Sequence, residues 1–410
     1  METFYERKNM NNILSGLRVV EGAAFVAAPS GAMTLAQLGA DVIRFDMIGG
    51  GLDYRRWPVD KNNQSLFWAG LNKGKRSIAV DFRKPEGQEI LTRLIAAPGE
   101  EAGMFLSNFP AKGWLAYDKL REQRDDLIYM NLSGDRHGGS AVDYTVNCAM
   151  GLPTMTGDNC EPVNHVLAAW DVITGQTLAL GMLAAERHRR ISGEGQLIKL
   201  ALADVALATM GNLGFIAEAQ INAEDRQPCG NYLFGAYGKD FATADKRRVM
   251  IVGLTGNQWK GICKATGLGG EIDKLAERLG LNLRQEGDRF TARVELTALF
   301  EPWFASQSYA QVTALLDAHN VCWGKYQTLK QLVDGDPECS VDNPMFSEVE
   351  QGDIGSYLSP SSPLQFSAFE RQNAQPAPAL GQHTEEILAD ELGLSSTEIS
   401  GLYDQGIVAG

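Results

Sequence analysis

Leu17-Arg18-Val19-Val20, the small-residue stretch through Pro29, the helix-like run from Gly31 to Leu38, and Ala40-Asp41-Val42-Ile43-Arg44-Phe45 are the segments on which the fold turns. Two short apolar runs flank residues at helical spacing, and that order predicts a strand, a crossover helix and a second parallel strand. The cycle recurs in Ser77-Ile78-Ala79-Val80, the helix-like stretch Glu86 to Ile95, and Met104-Phe105-Leu106. The amphipathic Tyr117 to Asp126 and the apolar Leu127 to Leu132 add another helix and strand. Strand and helix alternate about every 25 residues, which predicts an α/β fold with a parallel sheet and helices on its faces.

Further along, Val172, Leu178 and Leu183 repeat at helical spacing, so a long helix is expected from Trp170 to Arg190, ending in a basic turn. A second apolar helix is read over Ala203 to Gln220. The polar, glycine-bearing stretch Asn222 to Gly238 reads as a linker. Beyond it, Phe241 to Val252 resembles a hairpin turning at Ala244-Asp245-Lys246, and Trp259 to His319 is mostly helical. Asp342 to Pro378, rich in proline and serine, reads as a connector, and Thr384 to Leu402 as a pair of short helices. The expected organisation is a large domain whose amino-terminal part is 1–221, a smaller α+β domain over 222–330, and a connector with the rest of the large domain over 331–410.

Bulk properties exclude several classes. Acidic residues outnumber basic ones by 51 to 37, a formal net charge of -14, which argues against a nucleic-acid or anionic-membrane surface. The longest apolar stretch, Leu197 to Ala219, is interrupted by Lys199 and Asp204 and makes no membrane span. Met1 to Asn12 is polar, without the apolar centre of a secretory signal. The six cysteines show no CxxC spacing and read as buried thiols of a reducing compartment, so a cytoplasmic enzyme is expected. The five histidines show no ligand spacing, so no metal site is expected.

No Walker loop, GxSxG elbow, HExxH or GxGxxG pattern occurs, and Gly49-Gly50-Gly51 reads as a flexible loop after a strand. Lys73-Gly74-Lys75-Arg76 precedes a strand and either holds phosphates of a nucleotide ligand or is a solvated loop. Asp171 stands at the start of the long helix, where the ordinary role of a carboxylate is an N-cap. The same position favours an ionised nucleophile, and Gly175 one turn later leaves room for a thioester to approach.

From Leu14 to Val408 the chain resembles the class III CoA transferases. The resemblance is carried by Leu14-Ser15-Gly16-Leu17-Arg18-Val19-Val20-Glu21 with Gly39-Ala40-Asp41-Val42-Ile43, and by Asn72-Lys73-Gly74-Lys75-Arg76-Ser77. Ser107-Asn108-Phe109, Ala168-Ala169-Trp170-Asp171 and Leu380-Gly381-Gln382-His383-Thr384 complete it. Gly49 to Pro58, Phe67 to Arg76 and Ala184 to Arg190 narrow it to the branch of 2-methylfumaryl-CoA isomerases, which move CoA between the two carboxyl groups of mesaconate.

The resemblance implies a Rossmann-like large domain built from both chain ends and an interlocked homodimer. It implies Asp171 as the nucleophile, reacting through an aspartyl anhydride and an aspartyl-CoA thioester. CoA, a part of the substrate and not a cofactor, would be contacted by Lys75, Arg76, Asn108 and Phe109. Where many relatives have arginine, proline and glycine after the asparagine and phenylalanine, this chain has Pro110-Ala111-Lys112-Gly113, so Lys112 would replace the arginine as a point charge. An intermolecular CoA transferase acting on a free acid is the alternative. A racemase of this fold needs a histidine and an acid near Val142-Asp143, and the histidine is missing there.

Overall fold

The computed structural model describes residues 12–158 and 161–410; the polar stretch before Asn12 and Cys160 lie outside the described residues. The chain forms two compact units. One runs through Met150, resumes over His165–Ile221 and ends with Asp336–Gly410; the other takes Gly151–Asn164 and Asn222–Gly335.

In the first unit β1 (Arg18–Gly22), α1 (Ala27–Gln37), β2 (Asp41–Asp46), α2 (Leu66–Leu71), β3 (Arg76–Val80) and α3 (Pro85–Ile95) follow in turn. Then come β4 (Met104–Ser107), α4 (Tyr117–Gln123), β5 (Ile128–Ser133) and α5 (Asp143–Ala149). After α6 (Leu152–Met155), which falls in the second unit, the chain returns as α7 (Ala169–Ser192), β6 (Gln196–Ala201) and α8 (Leu202–Asn212). The sheet runs β3-β2-β1-β4-β5-β6, all parallel, with Val408–Ala409 added antiparallel on β3.

Alternate strand residues face opposite sides, so each strand feeds two cores. Val20, Ile43, Phe45 and Ile78 pack under α3 and the carboxy-terminal helices, with Ile387 and Leu388. Val19, Val42, Met104 and Met130 pack under α1 and α7, with Leu35, Leu178 and Met182. Each strand therefore carries consecutive apolar residues that face both sides, as a sheet covered on both sides requires. The second unit has its own core, where Tyr237, Phe241 and Ile251 of a three-stranded antiparallel sheet meet Trp259, Phe300 and Phe304.

The parallel α/β sheet stands as the sequence implied, with four departures. Gln196–Ala201 is a strand where none was read, lying parallel to β5. The expected helix over Ala203 to Gln220 is two helices, α8 and Phe215–Asn222, bent by 62° at a break that includes Gly214 with φ +83. The expected connector carries a hairpin, Phe346–Gln351 paired with Gly355–Pro360. The five described cysteines form no disulfide, but they are not buried: Cys148 on α5 and Cys322 on an edge strand are exposed. No single helix among the described residues is long and apolar enough to cross a membrane.

Candidate active site

In parallel sheets the carboxyl edge is where loops gather and ligands bind, above all where strand order reverses, here between β1 and β4. α7 connects β5 to β6, so its first turn lies at that edge, as do the loops after β1, β2 and β4.

Asp171 sits inside the first turn of α7, whose N-cap is Ala168, and it is not the cap. Capping falls to Asp143, a buried carboxylate at the start of α5: its Oδ2 accepts from the Trp170 amide at 2.7 Å and the Asp171 amide at 3.2 Å. Its Oδ1 is 2.5 Å from Nε2 of His165, and Trp170 Nε1 donates to Asn147 Oδ1 at 3.1 Å, tying α5 to α7. The histidine missing beside Asp143 in sequence is thus supplied from 22 residues downstream.

The environment of Asp171 also differs from expectation. A helix amino terminus would hold a carboxyl low. Instead burial raises it, the Asp143 carboxylate raises it further and Arg56 offsets part of this, leaving it pushed up to about 6. Nor does Gly175 leave room for a ligand. A side chain there would meet Ala27 O at 2.7 Å, and one at Gly31 would meet Gly175 O at 2.6 Å, so this pair lets the backbones of α1 and α7 touch.

Arg56 belongs to the loop after β2, and a buried ionic cluster anchors that loop. Arg44 holds Asp46 with Nε at 2.8 Å and Nη2 at 3.0 Å, reaches Asp53 at 3.0 Å, and lies 4.3 Å over the Trp68 ring. Three carboxylates, Glu21, Asp46 and Asp53, face the two cations Arg44 and Lys75 within it. Asp53 also accepts the Phe25 amide at 3.0 Å, holding Phe25 at φ +70, a left-handed conformation rarely taken by an aromatic residue. The Arg56 guanidinium then lies 5.7 Å from the Phe25 ring centre and 5.4 Å from that of Phe67.

Among the residues expected to contact CoA, Lys75 is buried, with Nζ at 2.6 Å from Glu21, 2.9 Å from Asn72 Oδ1 and 3.0 Å from Pro29 O. Those three partners match its three donors, and burial pulls it down to about 8. Arg76 opens β3 at the opposite end of the sheet from Asp171, bound to Asp41 at 2.9 Å, Glu386 at 3.0 Å and Glu391 at 2.7 Å. Asn108, Phe109 and Lys112 do lie at the carboxyl edge, after β4. Asn108 exchanges two hydrogen bonds with the Ala24 backbone at 2.9 and 3.1 Å, Phe109 packs on Phe45 and Phe82, and Lys112 is exposed. The structure therefore gathers Asp171, Asn108, Phe109 and Lys112 at one edge and leaves Arg76 apart.

Sequence reasoning missed Arg56 and His165, and weighed Asp143 only as the acid of a racemase pair and not as the cap of α7. Arg56 stands within the glycine-bearing loop already singled out, whereas the Asp143 pairing spans too many residues for any local pattern to mark it.

The model of CoA-transferase family III matches residues 14–384. The chain belongs to CoA-transferase family III. It is 62% identical, over 98% of its length and 99% of the relative, to a 2-methylfumaryl-CoA isomerase of Chloroflexus aurantiacus. To a succinyl-CoA–D-citramalate CoA-transferase of the same organism it is 28% identical, over 96% of this chain and 98% of that one. Among solved structures, a CaiB/BaiF family protein from Brucella suis is similar, with a TM-score of 0.75, 25% identity, and coverage of 93% of this chain and 99% of that chain. The carboxyl edge carrying Asp171 is thus the candidate site of a CoA-transferase family III enzyme.

Proposed function

We propose that the protein converts 2-methylfumaryl-CoA to 3-methylfumaryl-CoA by moving CoA between the two carboxyl groups of one mesaconate. The observation that carries this reading is the 62% identity, over nearly the whole of both chains, to a 2-methylfumaryl-CoA isomerase. Identity to the intermolecular transferase of the same organism is 28%, which favours the intramolecular reading over its alternative.

The Asp171 carboxylate attacks the thioester carbonyl, expelling CoA thiolate and forming a mixed anhydride. The thiolate attacks the aspartyl carbonyl, giving an aspartyl-CoA thioester and mesaconate. Mesaconate then attacks that thioester with its other carboxylate, re-forming an anhydride and expelling thiolate. Attack of the thiolate on the mesaconyl carbonyl releases the isomeric thioester and restores the Asp171 carboxylate. Every step exchanges one acyl bond for another, and none needs a general base.

A nucleophile held at about 6 is ionised at neutral pH and more basic than an ordinary aspartate, which strengthens its attack. Half-burial shields anhydride and thioester from hydrolysis. For CoA we carry forward Asn108, Phe109 and Lys112 as contacts from the loop after β4, with Lys112 offering a point charge to phosphate. Lys75 is read as supporting the site through Glu21, and Arg76 as bracing the far end of the Rossmann-like sheet.

The assembly is read as a homodimer. Exposed Leu180 and Ile191 on α7, with exposed Leu213 and Ile221 beyond, support a partner surface, and the interlocked arrangement follows from the family resemblance. An exposed thiol at Cys322 suits a reducing, cytoplasmic setting.

Hydroxylamine added during turnover tests the chemistry, because it converts an aspartyl anhydride or thioester to a hydroxamate. Peptide mass spectrometry should find the modification on Asp171; an unmodified Asp171 with another residue labelled would overturn the assignment.

A further inference from the structure

We propose that Arg56 is the subsite for the substrate carboxylate that is not joined to CoA, and that it thereby selects dicarboxylic acyl groups. This rests on the proposed intramolecular transfer, which needs a second carboxylate held within reach of Asp171 while the first reacts.

Placement comes first. α1 and α7 touch at Gly31 and Gly175, one turn along α7 from Asp171, and Phe25 stands just ahead of α1. The Arg56 guanidinium lies over the Phe25 ring at 5.7 Å and beside Phe67 at 5.4 Å, so it hangs over the same corner as Asp171. It is also close enough to act on the Asp171 carboxyl through space.

Pre-organisation comes second. The Arg56 carbonyl accepts Ser65 Oγ at 2.6 Å, and its amide donates to Asp53 O at 3.1 Å, so the backbone is fixed. The two aromatic faces limit where the guanidinium can point. Arg44 and Arg76 are filled by carboxylates. Arg56, by contrast, is exposed and its side-chain N–H groups meet no acceptor among the described residues.

Charge comes third. Asp171 and Asp143 already crowd two carboxylates at the first turn of α7, and a third arriving with the substrate would be repelled without a cation. A planar guanidinium takes a carboxylate in two parallel hydrogen bonds, which fixes direction as well as charge. Mesaconate has a carboxylate at each end of a flat skeleton. One Arg56 can therefore hold whichever end Asp171 is not engaging, and serve both halves of the reaction.

The test compares 2-methylfumaryl-CoA with (E)-2-methylbut-2-enoyl-CoA, its analogue with methyl in place of the free carboxylate, on the full-length enzyme and its Arg56→Gln and Arg56→Lys variants. Arg56→Gln is expected to raise KM for 2-methylfumaryl-CoA by about 10- to 100-fold, the worth of a charged hydrogen-bonded pair. The inhibition constant of the analogue should change less than about twofold, because it lacks the group that Arg56 binds. Arg56→Lys should recover part of the loss, restoring charge without the fork. Equal weakening toward both thioesters, or none toward either, would overturn the inference. Hydroxylamine capture on Asp171 of the unsubstituted enzyme separates the two levels. Capture with an unchanged preference in Arg56→Gln sinks only the Arg56 subsite; no capture on Asp171 sinks the transfer chemistry and the subsite with it.

Discussion

If Asp171 is the nucleophile proposed above, its setting serves chemistry at the expense of stability. Burial and the neighbouring Asp143 carboxylate raise it from the ordinary 3.8 to about 6, so the folded protein disfavours its charged form. Well below pH 3.8 the carboxyl is neutral whether the chain is folded or not, and no penalty arises. As pH climbs through 6 the folded state must carry the charge, and the penalty is fully present above that. Asp171→Asn should abolish turnover, by about 10⁴-fold or more. At pH 8 it should also raise stability by about 1–2 kcal/mol, after allowance for partial solvent access, with only a small part of the gain left at pH 4. Denaturant melts at the two pH values check this. In the same way, kcat/KM should rise on an acidic limb centred near 6. Asp143→Asn removes a charge that raises the group, so it should move that limb to lower pH. At this scale Asp171, the proposed nucleophile, stands out in the sequence because motif residues surround it. Its cap does not, since Asp143 lies 28 residues upstream and local spacing favoured Asp171 itself.

Elements were legible where one period dominates. β1, β2 and β3 are short apolar runs between turn residues, and α3 is strongly amphipathic, so their types followed from pattern. β6 was hidden because Gln196–Ala201 runs directly into the apolar α8, and a short apolar run before a helix reads as part of it. The hairpin Phe346–Gln351 with Gly355–Pro360 was hidden by the prolines and serines around it. Gly175 was legible as a glycine that matters, but its reason is a crossing of helices. Gly175→Ala should drive a methyl group into Ala27 O, lower stability by roughly 1–3 kcal/mol and tilt the first turn of α7. The thermal midpoint and kcat should fall together. Arg44→Met leaves Asp46 and Asp53 buried without their cation, and is expected to destabilise by about 3–5 kcal/mol in denaturant titration.

The first unit draws its sheet from both ends of the chain: Val408–Ala409 pairs with β3, and Ile387, Leu388 and Ile399 complete the core that β1 and β2 begin. Long-range closure of this kind leaves no periodic trace in the sequence. At the level of the whole protein, the proposed reaction differs from that of an ordinary CoA transferase in one respect, whether the acid leaves between half-reactions. The decisive measurement is turnover of 2-methylfumaryl-CoA carrying ¹³C in its acyl group, in the presence of excess unlabelled mesaconate. Retention of the full ¹³C content in 3-methylfumaryl-CoA is the predicted result, and dilution of the label in the product thioester would contradict it.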